Sequence, residues 1–276
     1  ADGQRRIGPL GVGTWAWGNG QWGYGRLGAE YSDETLRAAF RAALRGGVTL
    51  FDTSELYGDQ RAEEILGECL RMAQERTFIA TKWHPAANAS TSAGVGGESV
   101  VESMRRTCLG CKARLGVHRL DLLQLHSAAG GNREVEDYAD GLAAMVVEGH
   151  AAYVGVSNLS CEYLHRVRDR LRKAHGIDLF SNQVELSLLE LKNMESGLLE
   201  ECKKLGVKVL AYCPLAMGRL TGKYSAQREP PWFGGGSGRS ERYHGAALPW
   251  PMVEEVLDLL RELGGRYGKT VAQVEL

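Results

Sequence analysis

The sequence predicts an α/β protein whose parallel strands form a barrel, in a single domain spanning residues 1–276. Apolar strand-like runs alternate with amphipathic helices, and no obvious linker interrupts the alternation before Tyr212. Such an alternation implies right-handed crossovers between parallel strands. The length also suits this architecture, because the chain has 276 residues and an α/β barrel takes about 250.

Seven short apolar runs are predicted to be the strands, and most of them lead directly into a polar residue. Because the runs are separated by helical segments, we expect the strands to be parallel. The runs are residues 10–13, 48–51, 77–81, 120–125, 151–156, 179–182 and 207–211.

Amphipathic helices are predicted between the strands. Ser32 or Asp33 begins the first helix, whose apolar residues follow a three-four spacing until Gly46 and Gly47 end it. The longest break in the pattern, residues 225–248, is predicted to be a functional lid or a mobile segment. The other helices are predicted at residues 60–73, 98–115, 138–148, 160–174 and 194–205.

The balance of charges excludes two classes of partner. The chain has 33 basic and 34 acidic side chains, whereas nucleic-acid-binding domains usually carry a basic excess. It has no polybasic stripe for a membrane surface, and no apolar run approaches the roughly 18 residues of a membrane span. We therefore expect neither a nucleic-acid partner nor a membrane partner.

The six cysteines predict neither a disulfide scaffold nor a metal site. They are spread over a large chain, so a reducing compartment fits best. Cys108 and Cys111 form one C-x-x-C, but the second pair or the suitably spaced histidines that a zinc site requires are missing from the sequence.

Polar side chains at the ends of the predicted strands indicate a functional site. In an α/β barrel the carboxyl ends of the strands open onto one mouth, where the chemistry gathers. One polar residue at a strand end is ordinary, but a set of them around one mouth indicates function. Tyr57 follows soon after Asp52 and belongs to the same rim. The strand-end residues are Asp52, Lys82, His126, Ser157, Asn158, Gln183 and Tyr212.

Four of these residue types suit the reduction of a carbonyl group. A lysine ammonium beside a tyrosine favours the phenolate and so makes the phenol a better acid. An aspartate beside the lysine holds it charged and in place, and a histidine can donate to a substrate oxygen and stabilise developing charge. A serine hydrolase is not indicated, because the sequence contains no G-x-S-x-G.

A Rossmann fold is the alternative interpretation of the opening segment. Residues 11–16 match G-x-G-x-x-A, the dinucleotide-binding fingerprint. The residues that follow, Trp17 to Gly20, cannot open the helix that would bind the pyrophosphate, so the barrel is favoured.

Seven motifs show that the chain resembles the aldo-keto reductases over nearly its whole length. They occur in the family's order and at fitting distances, which makes the match specific. The motifs are GVGTW at 11–15, FDTSELYG at 51–58, ATK at 80–82, DLLQLH at 121–126, GVSN at 155–158, SNQV at 181–184 and YCPLAMGRLTGKY at 212–224.

The resemblance implies a (β/α)8 barrel of the TIM type that binds NADPH/NADP without a Rossmann domain. It implies that Tyr57 is the general acid when an aldehyde or ketone, a small-molecule carbonyl substrate, is reduced to an alcohol. NADPH is expected over NADH on the strength of the family alone. The implied catalytic tetrad is Asp52, Tyr57, Lys82 and His126.

The resemblance also implies a set of contacts to the cofactor. Ser157, Asn158 and Gln183 would hold the nicotinamide carboxamide, and Tyr212 would stack on its ring. The remaining expected contacts are Thr14, Trp15, Cys213, Pro214, Leu215, Gly218 and Lys223. Trp15 is also expected in an apolar wall for substrate. Trp17, Trp22 and Trp83 are candidates for that wall, with loop aromatics on the surface as the alternative.

The chain departs from the family's pattern in three places. Cys213 stands where the family has a serine, which weakens that contact. Most of the opening hairpin is absent, and residues 270–274 match the start of a late helix close to the end of the chain. We therefore expect an incomplete copy of a longer barrel, without its eighth strand and last helix. The alternative is an open barrel that another chain completes.

The leading prediction is an NADPH-dependent oxidoreductase. A non-catalytic, cofactor-sensing regulatory subunit and an inactive truncated barrel are the alternatives. His126 favours catalysis, because the channel-associated relatives resemble the tetrad except at this position. The resemblance is nearest to soluble reductases of bacteria, fungi and plants, some of them plastid-targeted, so the cytoplasm or a plastid is expected. Neither the particular carbonyl substrate nor the oligomeric state follows from the sequence.

Overall fold

The computed structural model describes residues 7–19, 24, 31–85, 98–128, 133–228 and 248–276. The chain divides into two compact units, Ala1–Asn182 and Gln183–Leu276. Within the described ranges, every helix is too short or too polar to cross a bilayer. Trp22 and most of the predicted break at residues 225–248 lie outside the described residues.

Seven strands belong to one sheet and follow one another in chain order. Each of the first four pairs in parallel with the strand that follows it. The predicted alternation of parallel strands and helices is therefore confirmed. The strands are β1 (Gly11–Gly13), β2 (Leu50–Asp52), β3 (Phe78–Trp83), β4 (Leu120–Leu125), β5 (Ala151–Ser157), β6 (Leu179–Glu185) and β7 (Lys208–Tyr212).

The helices lie between the strands and after the last of them. A 3₁₀ helix, Ala216–Thr221, also follows β7. The α-helices are α1 (Asp33–Arg45), α2 (Arg61–Met72), α3 (Val100–Leu115), α4 (Val135–Val147), α5 (Cys161–His175), α6 (Lys192–Glu195), α7 (Leu198–Leu205), α8 (Trp250–Tyr267) and α9 (Val271–Glu275).

Strands β3 and β4 form the centre of the first unit, since every residue of both is buried. Strands covered on both faces are typical of parallel sheets, because crossover helices lie over the faces. The register pairs Lys82 of β3 with Gln124 of β4. An apolar stack of Phe78, Tyr153 and Phe180 links β3, β5 and β6.

Helices α2 and α3 approach each other closely at Gly67. A Cβ atom at this position would lie 2.1 Å from the carbonyl oxygen of Arg114, so only glycine fits. Beside this contact, the buried Glu63 accepts hydrogen bonds from Thr81 Oγ1 at 2.7 Å and from Arg114 Nε at 2.8 Å. The carboxylate of Glu63, on α2, is therefore hydrogen-bonded to both β3 and α3 and connects the three elements.

The second unit has its own apolar core, formed where the 3₁₀ helix and α8 meet. The side chain of Arg219 is also buried there, with its guanidinium 4.5 Å from the ring centroid of Trp250 and Nη2 donating to Leu248 O at 2.7 Å. The apolar core residues are Leu189, Ala216, Leu220, Trp250, Val253, Leu257 and Leu260.

Several predicted boundaries are wrong in informative ways. The helix predicted at 194–205 is two helices, α6 and α7, because Gly197 adopts φ +77° between them. Strand β3 continues to Trp83 instead of ending at residue 81, since pairing with β4 extends through that position. The late helix is confirmed as α9, which begins after a capping box of Thr270 and Gln273.

Candidate active site

Three strands of the first unit bring the predicted tetrad together. Asp52 ends β2, Lys82 is the penultimate residue of β3, and His126 directly follows β4. Tyr57 lies in the turn after β2, where its N–H donates to the carbonyl oxygen of Ser54 at 3.0 Å. Because β2, β3 and β4 are parallel neighbours, their carboxyl ends share one edge of the sheet.

Lys82 is the centre of this cluster, and its side chain is fully buried. Its Nζ donates to Asp52 Oδ1, to the carbonyl oxygen of Thr53 at 3.0 Å and to Tyr57 Oη at 3.1 Å. An ammonium group has three N–H donors, so these three acceptors use all of them.

This arrangement settles the direction of the hydrogen bond between Lys82 and Tyr57. An ammonium nitrogen has no lone pair, so Lys82 donates and Tyr57 Oη accepts. The phenolic proton of Tyr57 must then point to an acceptor other than Lys82. The ammonium also lies 4.9 Å from the centroid of the Tyr57 ring, where it favours negative charge on the phenol.

The pKa of Lys82 reflects two opposing causes. Burial lowers the pKa of the amine, and the adjacent carboxylate of Asp52 acts against that shift. The second oxygen of Asp52 accepts from Gln124 Nε2 at 3.2 Å. Lys82 and Gln124 thus each bind one carboxylate oxygen of Asp52, which holds the carboxylate beside the amine.

His126 is neutral in this environment. Burial, together with the positive charge of Lys82, lowers the pKa of its imidazole from 6.5 to about 3. Its ring stands edge-on to the Tyr57 ring at 5.9 Å and to the His84 ring at 5.3 Å between centroids. Burial also lowers the pKa of His84, and His84 adds a smaller contribution to the lowering of the His126 pKa. A neutral imidazole has one N–H donor and one acceptor nitrogen.

The structure adds two side chains that the sequence analysis missed. Gln124 is buried and contacts Asp52 as described above, and Ser54 Oγ lies 3.3 Å from His126 Nδ1. Gln124 lies two residues before His126 and therefore faces the same side of β4. A glutamine near the carboxyl end of a largely apolar strand, in which Asp121 is the other polar residue, was the signal that could have identified it.

The cofactor residues predicted in the first unit lie close to the tetrad. Asn158 Nδ2 donates to Ser157 Oγ at 3.1 Å and to the carbonyl oxygen of His126 at 3.4 Å. Asn158 adopts φ +60°, a left-handed conformation that asparagine tolerates better than most residues. Thr14 is buried, and its N–H donates to the carbonyl oxygen of Asp52 at 2.8 Å. Trp15 follows it and is half-buried.

Trp17 and Trp83 belong to the core. The sequence analysis expected them either in the apolar wall for substrate or on the surface. Trp83 is 2% exposed, its Nε1 donates to Ser103 Oγ at 3.2 Å, and its ring packs on Tyr138. Because side chains alternate along a strand, Trp83 faces the helices while Lys82 faces the opposite side. Trp17 is 6% exposed and lies in the turn that follows β1, where the Rossmann alternative required a helix.

The second unit contains the remaining predicted cofactor residues. Gln183 is buried in β6, and Tyr212 ends β7. Residues 213–215 form a turn closed by the N–H of Ala216, which donates to the carbonyl oxygen of Cys213 at 2.8 Å. Pro214 and Leu215 are half-buried, Gly218 adopts φ +98° within the 3₁₀ helix, and Lys223 is exposed.

The turn after β7 has strained backbone geometry. Cys213, Ala216 and Met217 all adopt positive φ angles, of 53°, 46° and 57°. Such conformations are uncommon outside glycine and asparagine and cluster at functional sites. The thiol of Cys213, the residue that departs from the family pattern, donates to Met217 Sδ at 3.5 Å.

Comparison with known proteins identifies the family. Residues 9–276 match the model of the Aldo/keto reductase family. Pyridoxal reductase, chloroplastic, of Arabidopsis thaliana is 32% identical over 283 residues, which cover 98% of this chain and 72% of the relative. The chain belongs to the aldo/keto reductase family, which is a family of oxidoreductases.

Solved structures agree with this assignment. A glycerol dehydrogenase from Gluconobacter oxydans is 25% identical, with a TM-score of 0.75 over 97% of this chain and 77% of that one. An aldo-keto reductase from Klebsiella pneumoniae, solved in complex with NADPH, is 29% identical, with a TM-score of 0.60 over 77% of this chain and 66% of that one. The predicted barrel class is confirmed, whereas the prediction of a single domain stays a prediction.

Proposed function

We propose that this protein is an NADPH-dependent oxidoreductase that reduces an aldehyde or ketone to an alcohol, with Tyr57 as general acid. One observation carries the proposal: the buried ammonium of Lys82 donates to Tyr57 Oη and so turns the phenolic proton outward. A proton held in this way is available to an acceptor oxygen of a substrate. The family and the NADPH bound to the Klebsiella relative support the choice of cofactor.

The side chains near His126 fit the carboxamide of a nicotinamide. Ser157 supplies a hydroxyl and Asn158 an amide, both at the carboxyl end of β5. A hydroxyl and an amide together offer both donors and acceptors, which is the complement of a carboxamide. We assign these two residues to the nicotinamide, and the roles of Gln183, Tyr212 and the turn after β7 stay predictions.

When bound, NADPH supplies the hydride that reduces the carbonyl carbon. Tyr57 gives its proton to the oxygen as negative charge develops there. Lys82 stabilises the phenolate that remains, and Asp52 keeps the lysine charged. Neutral His126 donates one hydrogen bond to the same oxygen and orients the carbonyl group.

The decisive experiment measures NADPH oxidation with a panel of aldehydes and ketones. Pyridoxal belongs in the panel because the Arabidopsis relative is named as a pyridoxal reductase. We expect Tyr57→Phe to lose at least about 100-fold in kcat, the range expected when a positioned acid is removed. Tyr163→Phe, at an exposed tyrosine of α5, is the matched control and should retain wild-type rates.

Two results would contradict the proposal. Equal rates for the wild type and Tyr57→Phe would remove Tyr57 from the mechanism. Binding of NADPH without turnover of any carbonyl compound would instead support a cofactor-sensing regulatory subunit. The cytoplasm or a plastid stays the expected compartment, and the chloroplastic relative supports the plastid.

A further inference from the structure

The hydroxyl of Ser54 is buried between the turn that carries Tyr57 and the imidazole of His126. Ser54 has no exposed surface, and its Oγ lies 3.3 Å from His126 Nδ1. The same oxygen accepts a hydrogen bond from the N–H of Leu56 at 3.3 Å. Ser54 therefore touches the site through a single polar atom with two neighbours.

Counting protons settles which atom donates. The N–H of Leu56 is a donor, so it cannot receive the hydroxyl proton of Ser54. Among the described residues, His126 Nδ1 is the one acceptor within reach of that proton. If Nδ1 carried a proton instead, the serine hydroxyl would be buried with its own proton unsatisfied, which is unfavourable. The hydroxyl therefore donates to Nδ1.

We propose that Ser54 is a positioning residue that holds neutral His126 as the tautomer protonated on Nε2. The inference rests on the proposed function, because it concerns the histidine that orients the carbonyl group. Nδ1 accepts from Ser54, so Nε2 carries the ring's only proton and presents a donor. The other tautomer would present a lone pair at Nε2, which repels a carbonyl oxygen.

The surroundings of the ring hold this orientation. The main-chain N–H of His126 donates to the carbonyl oxygen of Trp83 at 2.8 Å, which fixes the backbone at the end of β4. The edge-on contacts with the rings of Tyr57 and His84 restrict rotation of the imidazole. Ser54 then selects between the two tautomers of a ring that is already placed.

The proposal is tested by ¹⁵N NMR of histidine-labelled protein, with and without bound NADP⁺, together with reductase kinetics. The resonances of His126 are assigned by their loss in His126→Gln. In the wild type we expect Nδ1 to be unprotonated and Nε2 protonated. In Ser54→Ala we expect the Nδ1-protonated tautomer to appear and kcat/KM to fall about tenfold, as when one hydrogen bond is lost.

Ser187→Ala is a closely matched control. Ser187 is also a buried serine whose Oγ accepts from an N–H two residues later, that of Leu189 at 3.2 Å. It belongs to the second unit and has no role in the proposed chemistry. We expect it to leave both the His126 spectrum and the kinetics unchanged.

The outcomes test the role of Ser54 and the proposed reductase function separately. A wild-type His126 protonated on Nδ1 overturns the role of Ser54, and so does a Ser54→Ala spectrum identical to that of the wild type. An unchanged kcat/KM in Ser54→Ala overturns it as well. If the wild type reduces no carbonyl compound, the proposed function fails, while the spectra still report whether Ser54 selects the tautomer.

Discussion

At the scale of single residues, the site keeps a charged amine and a neutral imidazole close together under burial. Lys82 retains partners for all three N–H groups, and Asp52 is held by Lys82 and Gln124. Among the described residues, none with a carboxylate contacts the side chain of His126, and burial makes its charged form unfavourable. In the same buried environment, the amine of Lys82 is therefore charged while the imidazole of His126 is neutral.

The lowered pKa of His126 predicts a loss of stability in acid. In the unfolded chain the imidazole takes up a proton near pH 6.5, whereas in the folded chain it does so at about 3. Between these values the unfolded state binds more protons, so the free energy of unfolding falls as the pH falls. One such group contributes a slope of up to about 1.4 kcal/mol per pH unit.

We expect His126→Gln to flatten this dependence. Urea unfolding between pH 6.5 and about 4 measures the slope, which should decrease by as much as one proton's contribution. His118→Gln, at an exposed position in the turn before β4, is the control. An identical slope in His126→Gln and the wild type would show that His126 titrates alike in both states.

At the scale of elements, the helix N-termini show how local sequence becomes local stability. Ser99 begins α3 with a complete capping box: its Oγ accepts from the N–H of Glu102 at 3.2 Å, and Glu102 Oε2 accepts from the N–H of Ser99 at 2.9 Å. Ser160 begins α5 with nearly the same backbone angles, but its side chain makes no capping hydrogen bond.

This pair of serines gives a matched test of capping. We expect Ser99→Ala to lower the free energy of unfolding by about 1 kcal/mol, because the N–H of Glu102 loses its acceptor and the Glu102 carboxylate loses the hydroxyl donor. Ser160→Ala should cost clearly less, since no capping bond is removed. Chemical denaturation of both variants measures the difference, and equal losses would contradict the assignment.

At the scale of the whole molecule, the parallel sheet joins residues that are distant in the chain. Ser54 and His126 are separated by 72 positions, as are Asp52 and Gln124. Short strands in chain order bring them together because parallel strands all end at the same edge of the sheet. A site assembled in this way depends on the folded sheet, so a ligand of the site should stabilise the folded state.

We expect NADP⁺ to raise the thermal unfolding temperature of the protein. A ligand that binds only the folded state adds about 2.7 kcal/mol at 100 times its Kd, which corresponds to several degrees for a domain of this size. Thermal denaturation with NADP⁺ and with NAD⁺ at equal concentrations is the measurement. No change in unfolding temperature with either nucleotide would contradict the proposed cofactor. A larger increase with NAD⁺ than with NADP⁺ would indicate NADH in place of NADPH.

Much of this molecule was determined by the sequence itself. The apolar periodicity predicted the order of strands and helices, and Asp52, Lys82 and His126 were identified as strand-end residues before their distances were known. These signals are local, because an amphipathic period or a polar residue after an apolar run needs only neighbours along the chain to be recognised.

Only the tertiary structure decided what each side chain touches. The contact of Ser54 with His126 and that of Gln124 with Asp52 depend on the register of β2, β3 and β4, which no local pattern contains. Trp83 became a core residue because the extension of β3 turned it toward the helices, on the face opposite Lys82. Which face a residue occupies, and which distant partner it meets, is set by pairing between strands and not by composition.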